Sequence, residues 1–259
     1  GYRDNMLDTA EPFGLWVIES PRDLSNELPL PQCGLPVIYT DNQKPYKQRK
    51  VRILNGAHTS FVPAAFQCGY DIVLDAMNDP VIATFMQKTL YDEVIPTLSL
   101  PKADLMAFAE AVTGRFRNPF IKHALLSICL NSVSKWRARC MPSLLGYVEK
   151  TAELPAHLTF SLASLMSLYR GGKLTGDGRL ECQRDVQPYY LQDDAAVLNF
   201  FAETSSESPE EQAKEFLSNE TFFGPDLCKV PGLVESVGAS LREILDKGMR
   251  TVMNEKFGV

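Results

Sequence analysis

Apolar residues return at helical spacing through most of this chain, and the clearest series follows Asp79 and Pro80. An aspartate can accept hydrogen bonds from the first free amides of a helix, and a proline in the first turn has no amide to lose. The apolar residues that come next are Val81, Phe85, Leu90 and Val94. This pattern predicts a helix of about 17 residues that starts at Pro80.

The same reasoning predicts helices along most of the remaining chain. They are expected at residues 102–116, 119–129, 132–150 with a break near Pro142, 155–170 and 232–256, with further helix starts at Asp193–Asp194 and Ser208–Glu211. The pair Gly171–Gly172 is typical of a helix end, and a loop or short hairpin is expected over residues 171–192. The predicted fold class is mainly α.

The first 43 residues have a different character from the rest of the chain. Prolines and polar residues surround the segment Phe13–Ile18, which favours an extended or strand-like arm over a helix. We therefore expect two parts, an extended arm over residues 1–43 and a helical domain over residues 44–259.

Composition narrows the class of protein. With 259 residues, 45% of them hydrophobic, the chain can bury a substantial core, and its formal net charge of -6 argues against a nucleic-acid partner. No uninterrupted apolar run reaches the roughly 18 residues that a membrane span requires. The six cysteines form no C-x-x-C pair and the three histidines are far apart, so we expect free thiols in a reducing cytoplasm and no metal.

The segment from Lys50 to His58 carries the strongest candidate chemistry. It contains an amine in Lys50, an amide in Asn55 and an imidazole in His58. If the segment is helical, about 100° of turn per residue puts the last two within about 140° of Lys50, so all three can share one face. Such a set can take a proton from an alcohol, with the lysine as general base. Gly56 is expected to let a ligand approach closely.

This order of residues resembles the polyol-specific long-chain dehydrogenases and reductases, the mannitol dehydrogenase family, in which one helix carries lysine, asparagine and histidine at these offsets. The resemblance continues in the segments Glu11–Glu19, Arg115–Pro119 and Ser134–Arg139. It implies a multi-helical C-terminal domain like that of mannitol dehydrogenase and 6-phosphogluconate dehydrogenase. It also implies an NAD-dependent secondary-alcohol dehydrogenase with the three residues above as its catalytic set.

The cofactor site is expected to lie outside this sequence. Members of the family resemble two-domain proteins whose N-terminal Rossmann domain binds most of the NAD, yet no G-x-G-x-x-G follows a strand-like run here. The glycines of Gly171–Gly178 follow a helix-like segment, which favours a turn-rich loop over a phosphate cradle. Because the chain also begins at Gly1 without a methionine, we expect a fragment that needs the Rossmann domain for turnover.

The sugar-acid branch of the family is the most similar, through the segments Phe13–Pro21 and Leu168–Gly172. It implies interconversion of D-tagaturonate and D-altronate in hexuronate metabolism. Lys135 and Arg139 are one helical turn apart, and they are expected to bind the carboxylate of such a substrate. Ser127 stands where the polyol-oxidising relatives carry an arginine, and it is expected to line the substrate pocket.

Several alternatives stay open at this stage. A sister activity, fructuronate reductase or mannitol 2-dehydrogenase, would use the same residues on another substrate. A non-catalytic helical interaction module would keep the fold but leave Lys50 as a solvated surface residue. For Arg115 and Asn118 an architectural role is favoured, in which Asn118 caps a helix that begins at Pro119.

Overall fold

Helices make up most of the computed structural model, which confirms the fold class predicted from the apolar spacing. The structure describes residues 3–7 and 13–258, so Glu11 and Pro12 of the first resemblance segment lie outside the described residues. Its contacts divide the chain into two units, Gly1–Gln48 and Arg49–Val259.

The first unit contains two short strands, β1 (Trp16–Glu19) and β2 (Val37–Thr40), which pair in parallel. A parallel pair cannot be joined by a tight hairpin, and the connection between the strands includes a single 3₁₀ turn at Pro31–Cys33. The hydroxyl of Tyr39 donates a hydrogen bond to the carbonyl of Leu28, which ties this connection back to β2. The predicted extended arm therefore contains a small sheet.

The helices that follow are numbered in chain order. The first seven are α1 (Lys44–Arg49), α2 (Gly56–Gln67), α3 (Val73–Asn78), α4 (Pro80–Lys88), α5 (Lys102–Phe116), α6 (Leu125–Ile128) and α7 (Ser132–Arg139). The rest are α8 (Met141–Thr151), α9 (Ala156–Tyr169), α10 (Ala195–Glu203), α11 (Pro209–Ser218), α12 (Glu220–Phe223), α13 (Leu233–Lys247) and α14 (Met249–Phe257). Between α9 and α10 lie the strands β3 (Lys173–Leu174), β4 (Leu180–Arg184) and β5 (Gln187–Leu191).

Helix starts that the sequence marked by a capping residue are confirmed. The carboxylate of Asp79 accepts hydrogen bonds from the amides of Val81 and Ile82, at 2.8 and 3.1 Å, at the start of α4. Ser208 and Glu211 form a reciprocal capping box at the start of α11. The break expected near Pro142 separates α7 from α8, and the hairpin expected between residues 171 and 192 is the antiparallel sheet of β3, β4 and β5.

The helix predicted over residues 119–129 is wrong in length, because only Leu125–Ile128 are helical. The side chain of Asn118 accepts a hydrogen bond from the amide of Phe120 at 2.9 Å, so it forms a local turn instead of a helix cap. An isolated bridge between Ile72 and Ala124 then holds the end of this loop in an extended form. A long-range backbone pairing therefore competes with the local helix signal and prevails.

The single helix predicted over residues 232–256 is also wrong, because two helices occupy this stretch. Gly248 lies between α13 and α14 with a φ of +82°, a conformation that breaks the helical hydrogen-bond ladder. Trp136 of α7 was expected to be a core or interface residue. It is fully buried, and its indole N–H donates to the hydroxyl of Ser161 in α9 at 2.9 Å.

Candidate active site

The segment that carries the candidate chemistry is helical, but its first part is not an α-helix. Residues Lys50–Asn55 form a π-helical turn that runs into α2 at Gly56, and the amide of Gly56 reaches back to the carbonyl of Val51. Lys50 is exposed and Asn55 is half-buried, whereas Arg52 faces the interior with only 9% of its surface exposed. The candidate residues therefore lie on the accessible side of the turn.

His58 lies in the first turns of α2, packed between two rings. Its imidazole stacks on Phe116 with ring centroids 4.0 Å apart, and it meets the ring of His123 edge to face at 5.3 Å. Burial lowers the pKa of His58 to about 3, and the nearby charges of His123, Arg139 and Arg115 add to this shift. His58 is therefore neutral near pH 7, where it can donate or accept one hydrogen bond but cannot act as an acid.

One nitrogen of this imidazole is available for such a bond. Nε2 of His58 is buried, and it has no hydrogen-bond partner among the described residues. Buried polar atoms without a partner are uncommon in folded proteins, and they often mark a place where a ligand binds. This observation supports a ligand-binding role for His58.

Arg139 reaches the same turn of α2 from the end of α7. Its Nη1 donates to the hydroxyl of Thr59 at 3.3 Å, and that hydroxyl donates to the carbonyl of Asn55 at 2.9 Å. Burial lowers the pKa of Arg139, although the guanidinium stays charged at any physiological pH. The structure thus brings Arg139 next to both Asn55 and His58.

Lys135 and Ser127 are placed differently. The Nζ of Lys135 donates to the carbonyl of Ile128, the last residue of α6, at 2.9 Å, and its pKa is lowered by burial and by the charge of Arg139. Ser127 is exposed, donates to the carbonyl of Ala124 at 2.7 Å, and lines a cavity of about 340 Å³. Among the described residues no hydrogen bond joins Ser127 to the Lys50–His58 segment.

The role expected for Gly56 is wrong. A β-carbon on Gly56 would lie 3.2 Å from the carbonyl oxygen of Arg139, so the space beside this glycine is filled by α7 and not by a ligand. The thiol of Cys140 also contacts the carbonyl of Gly56, with the sulfur and oxygen 3.6 Å apart. Gly56 therefore serves the close packing of α2 against the end of α7.

The sequence pattern did not identify His123 and Phe116 as neighbours of His58. They come from the end of α5 and the loop before α6, and only the folded chain shows that these segments cover the first turn of α2. The block Arg115–Pro119, which resembles the family, ends one side of this pocket. Its likeness to relatives was the one signal in the sequence that this region matters.

The described residues do not form a dinucleotide site. The glycines of Gly171–Gly178 belong to the turn between β3 and β4, where the carboxylate of Asp177 bonds to Thr175 and Arg179. A negative side chain at that tip disfavours a phosphate. In the described part of the chain, no cluster of three His, Cys, Asp or Glu is arranged for a metal ion, and no helix is long and apolar enough to cross a membrane.

A helical domain whose accessible turn presents lysine, asparagine and histidine matches one class of protein, the long-chain polyol dehydrogenases and reductases. The chain belongs to the mannitol dehydrogenase family, since the profile of the mannitol dehydrogenase C-terminal domain matches residues 42–245. The resemblance inferred from the sequence is thereby confirmed.

Individual relatives agree with this assignment. The chain is 47% identical to the altronate oxidoreductase of Escherichia coli over 256 residues, which cover 96% of this chain and 51% of that protein. It therefore spans about half the length of the curated relatives it matches. Its fold resembles mannitol 2-dehydrogenase of Pseudomonas fluorescens, solved with NAD and D-mannitol, with a TM-score of 0.76 at 23% identity over 95% of this chain and 46% of that one. D-sorbitol dehydrogenase gives a TM-score of 0.69 at 20% identity, over 87% and 43% of the two chains.

Proposed function

We propose that this chain is the substrate-binding and catalytic domain of an NAD-dependent sugar-acid oxidoreductase that interconverts D-tagaturonate and D-altronate. The 47% identity to an altronate oxidoreductase supports this substrate pair. The observation that carries the proposal is the convergence of charged Arg139 on neutral His58, beside the turn that bears Lys50 and Asn55.

In this proposal Lys50 is the general acid and base of the reaction. Oxidation of a secondary alcohol releases a proton from the hydroxyl, and Lys50 takes it up. A lysine can do so only in its neutral form, which burial favours. Because Lys50 is exposed here, we assign its burial to an N-terminal Rossmann domain of the full-length protein. The same domain would hold most of the NAD, which supplies the hydride acceptor.

Asn55 and His58 would hold the reacting part of the substrate. The amide of Asn55 can donate a hydrogen bond to the oxygen on which negative charge develops. His58 is neutral, and its unpartnered Nε2 can bond to a hydroxyl of the sugar acid without placing a second positive charge next to the base. Both contacts would keep the alcohol carbon in register with the cofactor.

Arg139 and Lys135 would recognise the carboxylate of the sugar acid. In the described part of the chain neither side chain forms a salt bridge with an acidic residue, and their described hydrogen bonds go to a hydroxyl and a backbone carbonyl. Two half-buried cations without an acidic partner are costly unless an anion joins them. Ser127 would widen the same pocket where the polyol-oxidising relatives carry a longer side chain.

The competing activity is that of a mannitol 2-dehydrogenase, which the similarity of fold to the Pseudomonas fluorescens enzyme favours. Fructuronate reductase is a further sister activity. The full-length enzyme should be assayed with NADH on tagaturonate, fructuronate and fructose at equal concentrations. We expect the highest kcat/KM with tagaturonate, and equal or faster reduction of fructose would exclude a preference for sugar acids.

A third possibility, a non-catalytic interaction module, has no need of Lys50. It is distinguished by the Lys50→Ala variant of the full-length protein, which would then reduce every substrate at the same rate as the parent, or neither protein would reduce any of them.

A further inference from the structure

The π-helical turn at Lys50–Asn55 changes which side chains share a face. In an α-helix, residues five apart are separated by about 140° around the axis. A π-helix closes its hydrogen bonds from i to i+5, so the fifth residue returns to nearly the same side. Lys50 and Asn55 are five residues apart, and the π turn therefore aligns the amine with the amide. Such turns are often found at functional sites.

Arg52 lies in the middle of this turn and faces the interior. Its Nε donates to the hydroxyl of Ser143 in α8 at 2.9 Å, and its Nη2 donates to the hydroxyl of Thr97 at 2.7 Å. Ser143 is completely buried. Gly146, one turn further along α8, leaves room for the guanidinium, because a β-carbon there would lie 3.9 Å from Nη2 of Arg52. The side chain is thus held by two donor contacts in a fitted space.

The contact with Thr97 connects the turn to a second irregular segment. The hydroxyl of Thr97 donates to the carbonyl of Val94 at 2.7 Å, and Val94 is the last residue of another π-helical segment, Thr89–Val94. Arg52 therefore links three pieces of backbone, the turn that carries Lys50, the end of the second π segment and the start of α8.

This arrangement is poorly explained by stability alone. No carboxylate among the described residues forms a salt bridge with Arg52, although 9% of its surface is exposed, and burial lowers the pKa of its guanidinium. Burying a charge without an opposite charge is unfavourable, and an apolar side chain of similar volume is often as stable or more stable at such a position. The arginine is better explained by what it holds in place.

We propose that Arg52 is a positioning residue, which holds the π turn so that Lys50 and Asn55 act on the same substrate oxygen. This inference rests on the proposed function, since it assigns Arg52 a role in the chemistry of that site. Arg52 itself points away from the substrate side, so it is expected to act on turnover and not on cofactor binding.

The test compares Arg52→Met and Arg52→Lys in the full-length enzyme. For Arg52→Met we expect kcat to fall about tenfold, which corresponds to about 1.4 kcal/mol at the transition state, with the KM for NADH within about twofold of the parent value. The pH profile of kcat should also shift, because the base is no longer held in place. Arg52→Lys keeps one charged donor, so it should recover part of the loss. An unchanged kcat and pH profile in a folded Arg52→Met variant would overturn the proposal.

Two milder variants keep the test decisive if Arg52→Met fails to fold. Thr97→Val and Ser143→Ala each remove one hydroxyl partner of Arg52 at nearly constant volume, and each should lower kcat in the same direction with less effect on folding. Arg184→Met serves as the control, since Arg184 bonds to the carbonyls of Phe66 and Tyr70, away from the turn. Parent-like kcat in both hydroxyl variants would also overturn the proposal.

Failure of this inference can be told apart from failure of the proposed function. If Lys50→Ala abolishes turnover while the Arg52, Thr97 and Ser143 variants keep the parent kcat, only the positioning role is wrong. If Lys50→Ala keeps the parent kcat, the proposed function itself is wrong.

Discussion

The imidazole of His58 lies flat against the ring of Phe116, with the two ring centroids 4.0 Å apart. This packing removes the imidazole from water at the same time as Arg115 and Arg139 surround it with positive charge. Both effects disfavour the imidazolium, so the fold holds His58 in its neutral form.

The first prediction concerns the ionisation of His58. Its pKa in the folded protein is about 3, below the value of about 6.5 for an unfolded chain, so between these pH values the unfolded chain binds a proton that the folded one does not. Stability should therefore fall, by at most about 1.36 kcal/mol per pH unit, as pH drops from about 6.5 towards 3. NMR spectra of nitrogen-labelled histidine should show the His58 signals unchanged between pH 8 and pH 5. A midpoint near pH 6.5 for His58 would contradict the prediction.

The second prediction concerns Gly56. Replacing it with alanine forces a β-carbon to within 3.2 Å of the carbonyl of Arg139, which is backbone and cannot easily move. We expect the Gly56→Ala variant to lose about 1–3 kcal/mol in its free energy of unfolding. Gly114→Ala is the matched control, since Gly114 is an exposed residue of α5 with no atom near its added β-carbon. The control should gain about 0.5–1 kcal/mol, and equal effects in the two variants would refute the packing role of Gly56.

The third prediction concerns the carboxylate of the substrate. Arg139→Ala should raise the KM for the sugar acid about 10- to 100-fold, the loss of one charge-assisted hydrogen bond, and leave the KM for NADH nearly unchanged. Arg137→Ala removes the same charge from an exposed position on another face of α7, so it should have little effect on either constant. A similar rise of KM in both variants would point to the general electrostatic field and not to a bound carboxylate.

The sequence predicted those parts of the fold that depend on local chemistry. Asp79 and Ser208 mark their helix starts because a side chain of the right length can reach the first free amides, whatever the rest of the chain does. The region after Asn118 could not be predicted in this way. Its conformation depends on the pairing of Ile72 with Ala124, and no local pattern encodes that distant contact.

The candidate site was also only partly predictable. The spacing of Lys50, Asn55 and His58 indicated a shared face, and the structure shows that a π turn brings the first two into alignment. A π turn depends on interior contacts such as those of Arg52, which a periodicity based on the α-helix does not include. The pairing of His58 with His123 likewise arises from the fold, since the two residues belong to distant segments.

The central claim is that Lys50 is the acid and base of a sugar-acid dehydrogenase, and kcat of the Lys50→Ala variant tests it most directly. The variant should be prepared in the full-length enzyme and compared with Lys47→Ala, which removes the same charge from another exposed lysine nearby in the sequence. We predict that kcat for the reduction of tagaturonate falls about 100- to 10,000-fold in Lys50→Ala and stays near the parent value in Lys47→Ala. An unchanged kcat in a correctly folded Lys50→Ala variant would contradict the claim.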